Sequence, residues 1–69
     1  MKTERIFNVI LLELSSEKMK IEDDLERIMN SDTDIEFKTK TIKELVVKLN
    51  TVEASIIKFN DMISNNNKT

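Results

Sequence analysis

The chain has 69 residues, a net charge of −2, and neither cysteine nor histidine. That length accommodates one small domain, and the composition excludes disulfides and the usual zinc sites as its staples. A core of this size rarely supplies more than about 3–5 kcal/mol, so oligomerisation or docking on a partner is the expected reinforcement.

Glycine and proline are also absent, and tight hairpins between strands lean on them. Charged residues make up 35% of the chain and are interleaved with apolar ones, as in long helices and coiled coils. The expected fold class is therefore all-α, a two-helix antiparallel coiled-coil hairpin that associates into a helical bundle.

From the N-terminus, Ile6-Phe7-Asn8-Val9-Ile10-Leu11-Leu12 follows Lys2 and Arg5. It faintly imitates a signal peptide, but Asn8 interrupts it, Glu13 stops it, and no small-residue cleavage site follows. No run reaches the ~18–20 apolar residues of a membrane span. A first helix is predicted over about 3–29. Ser31-Asp32-Thr33-Asp34 is the clear punctuation, with Asn30 as a terminator where glycine is missing. Thr33 and Glu36 have the spacing of a capping box, although Ser31 or Asp32 could cap instead. After a turn at 30–33, a second helix is predicted over about 34–64, making 1–64 a single hairpin. The polar segment 65–69 is expected to be a disordered tail.

Hydrophobic periodicity carries the prediction. Phe7, Leu11, Leu14, Lys18, Ile21, Leu25 and Ile28 recur by alternating steps of four and three. In the second helix Ile35, Lys38, Ile42, Leu45, Leu49, Val52, Ile56, Phe59 and Ile63 do the same. Both are 3.5-residue repeats, which predict a left-handed supercoiled seam. A short turn makes the helices antiparallel, and a register follows in which Ile28 lies beside Ile35, Lys18 beside Leu45, and Phe7 beside Ile56. Residues 1–34 hold nine acids and five bases, whereas 35–69 hold four and six. Glu22, Asp23 and Asp24 are then expected near Lys38, Lys40 and Lys43, in pairs that are individually weak. Lys18 and Lys38 break the apolar rule of the seam. They are read as snorkelling on Leu45 and Leu25, or as setting register at some cost in stability.

A candidate interaction surface lies at the open end. Ile6, Val9, Ile10 and Leu12 point away from the seam, and Ile57, Phe59, Met62 and Ile63 lie partly beyond the reach of the first helix. The open end thus reads as apolar and the turn end as charged, and large apolar patches mark interaction sites. Expected occupants are a second copy, closing a four-helix bundle, or another protein's helix. Membrane-surface insertion is disfavoured by the acidic first helix, because such helices carry Lys and Arg on their polar face.

Catalysis is not expected, and neither is a cofactor. With no His, Cys, Tyr or Trp, the usual general bases and nucleophiles are nearly gone. Ser15 and Lys18 have the S-x-x-K spacing of serine–lysine acyl enzymes, without the companion motifs or a cleft. The segment from Asp32 echoes a calcium loop, but Phe37 and Lys43 stand where glycine and glutamate are required. Glu22-Asp23-Asp24-Glu26 reads as a solvated face rather than a metal site, and Asn67-Lys68-Thr69 as an accidental glycosylation sequon.

In architecture alone the predicted hairpin resembles the small plasmid copy-number regulators typified by Rop, helical hairpins that dimerise into four-helix bundles and bind paired RNA hairpins. This implies, as the alternative to a protein-binding module, a homodimeric RNA-binding regulator using Lys40, Lys43 and Lys48. The leading expectation is a small regulator, inhibitor or assembly subunit acting through its helical surface. Lack of cysteine fits the cytoplasm. Nine Lys against two Arg, with many Ile and Asn, suggest an AT-rich genome, and so a low-GC bacterium, a phage or a large DNA virus, in the last case acting in the host cytoplasm.

Overall fold

The structure, a computed structural model, describes residues 2–67. Two helices, α1 over Lys2–Met29 and α2 over Ile35–Asn67, fold back on each other as an antiparallel hairpin. No strand occurs among the described residues. At ~1.5 Å per residue the longer helix sets the length of a rod measuring 53 × 14 × 12 Å. Glu4 in the first turn of α1, Arg27 in its last, and Glu36 in the first turn of α2 all complement the helix dipoles.

The turn differs from expectation in its cap. Asp34, not Thr33, is the N-cap of α2. Its carboxylate accepts from the Phe37 amide at 3.3 Å, and its carbonyl accepts from the Lys38 amide at 2.9 Å. The capping box with Glu36 does not form, because the cap sits one residue later and Phe37 takes the position that the box reserves for Glu. Thr33 is used inside the turn instead, where its hydroxyl lies 2.8 Å from that of Ser31. The Ser31 hydroxyl donates to the Ile28 carbonyl at 2.7 Å, which leaves Thr33 as the donor between the two hydroxyls.

Asn30 follows the last residue of α1, as expected, but without a left-handed conformation, since no described non-glycine residue has positive φ. Side chains close the helix end instead. Ser31 satisfies the Ile28 carbonyl through both its amide and its hydroxyl, and the Lys38 ammonium donates to the Ser31 carbonyl at 3.0 Å.

α2 also runs further than predicted. It continues through Asn65 to Asn67, so the expected tail is helical as far as the described residues reach. Asn is only a few tenths of a kcal/mol worse than the better helix formers, and neither Gly nor Pro intervenes. Lys68 and Thr69, the end of both the tail and the sequon, lie outside the described residues.

The seam is largely as the periodicity predicts. All seven stripe residues of α1 are half-buried, and so are those of α2, except for Val52, which is buried, and Ile35, which is exposed. Phe7 and Phe59 close the open end, with ring centroids 5.7 Å apart and planes tilted by 59°, the geometry aromatic pairs prefer.

The register does not match. Phe7 meets Phe59, three positions beyond the expected Ile56, and Lys18 reaches Glu53, eight beyond the expected Leu45. Long side chains account for part of each offset, but both have the same sign. Ile35, expected beside Ile28, is 77% exposed. Together these place α2 about one to two helical turns along α1 from the symmetric pairing. The first turn of α2 thus projects beyond the end of α1 at Met29, with nothing opposite Ile35. The acidic trio accordingly makes no ion pair with Lys38, Lys40 or Lys43. Asp24 instead pairs with Arg27 on its own helix, at 3.3 Å.

Candidate interaction surface

Two packed helices have one seam, and here it is thin. Val52, at 8% exposure, is the one buried apolar side chain among the described residues. The other seam residues except Ile35 are half-buried, so each contributes only part of the about 1.5–3 kcal/mol that full burial of an apolar side chain would supply.

The faces beside the seam follow from helix geometry. In an antiparallel pair of right-handed helices, the residue following each seam position lies on the same face of the hairpin in both helices. The residue preceding each seam position lies on the opposite face. On the first face stand Leu12, Met19 and Met29 of α1 with Val46 and Ile57 of α2, all exposed. Leu12 reaches 70% and Met19 64%. Val47 adjoins this face on the outer side of α2. The second face carries Glu13, Glu17, Lys20, Lys48 and Lys58, with a shallow groove between Asp24 and Thr41 floored by Ile28 and Leu45. Its exposed apolar residues stand only at the ends, Ile6 and Met62 at the open end and Phe37 by the turn.

The sequence-predicted patch is therefore divided. Ile10, Phe59 and Ile63 are half-buried. Phe59 is held against Phe7 in the seam, and Ile63 keeps its stripe position there, because the displaced register brings the end of α2 back alongside α1. Ile6 and Met62 flank one side of the open end, Leu12 and Ile57 the other, and Val9 points outward from the back of α1. Nor is the turn end purely charged, since Met29, Ile35 and Phe37 are all exposed there. Met19 is hidden in the sequence because it is isolated among polar neighbours, and Val46 and Val47 because they continue the apolar run that begins with the seam residue Leu45. Their signal is position, one or two residues after a seam residue.

Both seam lysines find partners. Lys18 lies 3.6 Å from the Glu53 carboxylate, with about two fifths of each side chain exposed, so solvent screens most of that attraction. Lys38 donates to the Ser31 carbonyl. Lys40, Lys43 and Lys48, the candidate RNA-contacting residues, are exposed, but at ~100° per residue they spread over roughly 140° of the helix circumference. Lys43 and Lys48 thus sit on opposite faces of the hairpin. Among the described residues there is no group of acidic side chains placed to hold a metal ion, and no helix is long and apolar enough to cross a membrane. Comparison with known proteins finds no match among family models, curated sequences or solved structures.

Proposed function

We propose that this protein is a binding module that works through the outer surface of a helical hairpin, as a regulator, inhibitor or assembly subunit in the cytoplasm, rather than through catalysis. One observation carries this reading: the hairpin leaves uncovered far more surface than a finished fold of its mass. Its accessible area is 5680 Å² for 8.1 kDa, whereas a compact monomer of that mass exposes about 4,500 Å². The radius of gyration, 15.9 Å, likewise exceeds the ~11 Å of a compact domain of this length. Eleven large apolar side chains are exposed among the described residues. Patches of this kind are where soluble proteins meet partners.

The absence of His, Cys, Tyr and Trp supports binding over chemistry. Between partner classes, the mixed charges of both faces favour protein over RNA, which calls for a basic stripe or stacking aromatics. The test combines size-exclusion chromatography with binding of an exposed-hydrophobe dye. Dye uptake by the wild type, or elution as an assembly, is expected. A dye-silent monomer would overturn the reading, and salt-sensitive retention on RNA would replace it with the nucleic-acid alternative.

A further inference from the structure

We infer that the surface covering the Leu12–Met19 face is a second copy of the same chain, running antiparallel to the first about a two-fold axis near Ser15 and Ser16. This rests on the binding reading above and assigns its occupant. Every seventh residue on that flank of α1 is, in order, Arg5, Leu12, Met19 and Glu26. In a hairpin whose seam repeats every 3.5 residues, such a row stays parallel to the seam, and all four residues are exposed. Turned end for end, the row matches itself. Leu12 meets the partner's Met19, Met19 the partner's Leu12, and Arg5 and Glu26 form an ion pair at each end. Aligned in parallel, the same row sets Arg5 against Arg5 and Glu26 against Glu26. Self-complementarity of this sort is what an isologous interface demands, and the two serines keep the crossing point free of bulk.

Area agrees with the pattern. The excess over a compact monomer is about 1,200 Å², and a stable interface removes about 800 Å² from each partner. Lateral pairing also corrects the shape. Set side by side, two such rods keep a radius of gyration close to that of one, 15.9 Å, against ~14 Å for a compact domain twice this length and ~11 Å for one of this length, whereas joining them end to end would lengthen a rod already 53 Å long. On α2, Val46, Val47 and Ile57 border the same face and widen its apolar part. Membrane lipid fits poorly, because this face carries Glu22, Glu26, Glu36 and Glu53 against Arg5 and Lys43.

Arg5 and Glu26 lie ~30 Å apart along one helix, so they can meet only between chains, and charge reversal reads out the pairing. In low salt, sedimentation equilibrium of Arg5→Glu or of Glu26→Arg alone is expected to show self-association weakened about tenfold. The double variant Arg5→Glu/Glu26→Arg is expected to restore it. Both sites are exposed, so neither change threatens the hairpin itself. As a second readout, Leu12→Cys protein mixed with Met19→Cys protein is expected to give the mixed disulfide in preference to either homodisulfide. A wild type that self-associates without rescue by the double variant, or that prefers homodisulfides, overturns the antiparallel pairing while leaving the binding reading intact. A wild type that binds dye yet stays monomeric at 100 µM overturns the second copy as occupant. A dye-silent monomer overturns both.

Discussion

Val52 is the best-packed residue of the hairpin, and truncating it measures what the seam is worth. Val52→Ala removes two carbons from a site 8% exposed. At ~0.8 kcal/mol per buried methylene the transfer loss is about 1.6 kcal/mol, and incomplete collapse of the cavity brings it to about 2 kcal/mol. Against a total of about 3–5 kcal/mol for a core of this size, that is a large fraction. With a shift of about 4–8 °C per kcal/mol for a domain of this length, the melting temperature is expected to fall by about 8–16 °C. The assay is thermal and urea unfolding followed by helical circular dichroism at one fixed protein concentration, since association would otherwise move the midpoint. Ile35→Ala is the control. It deletes more carbon, but at a site 77% exposed, and is expected to leave stability within about 0.5 kcal/mol. The symmetric register, with Ile35 packed on Ile28, requires Ile35→Ala to be costly as well. If Ile35→Ala costs as much as Val52→Ala, or if Val52→Ala costs less than about 0.5 kcal/mol, the displaced seam is wrong.

Asp34→Ala removes the carboxylate that caps the Phe37 amide and is expected to destabilise by about 1 kcal/mol, whereas Asp34→Asn keeps most of the cap; equal losses from the two would show that the cap is not made by the side-chain oxygen. A double-mutant cycle on Lys18 and Glu53 is expected to give a coupling of about 0.2–1 kcal/mol that shrinks with added salt, as for a partly solvated pair. Zero coupling at low salt would remove one of the contacts that define the register.

Most of the seam is visible in the sequence because burial and spacing answer to the same constraint. A 3.5-residue apolar repeat has no other use in a chain without glycine or proline, and every stripe residue of α1 is half-buried as it implies. Ile35 fails because periodicity says which face a residue occupies but not whether the opposing helix extends that far. The same gap explains the register. Helix ends at Met29 and Ile35 agree with the spacing, but they do not say how far the five-residue connection carries α2 along the axis before it turns back. The Asp34 cap was itself obscured, since Ser31, Asp32, Thr33 and Asp34 are all competent to make it, and the spacing from Thr33 to Glu36 favoured the wrong one.

The candidate surface was half legible. Leu12 and Ile57 stand out in dense apolar runs, and both prove exposed. Met19 does not stand out, because a flanking row repeats only every seven residues and this member is lost among polar neighbours, while Val46 and Val47 merge with the run that starts at the seam residue Leu45. Lys18 and Lys38 stand out in the sequence as exceptions, but their partners do not. Glu53 lies within reach only in the displaced register, and the acceptor for Lys38 is a backbone carbonyl whose availability depends on how the turn is built.

If one hairpin holds only half of a core, its unfolding midpoint depends on protein concentration. Melting followed from about 1 µM to about 1 mM should show the midpoint climbing steadily with concentration, because whatever binds the folded form stabilises it by mass action. A midpoint that stays constant across that range, with a sedimenting mass of 8.1 kDa throughout, would mean that the seam around Val52 suffices alone and that its exposed apolar flank waits for no second copy.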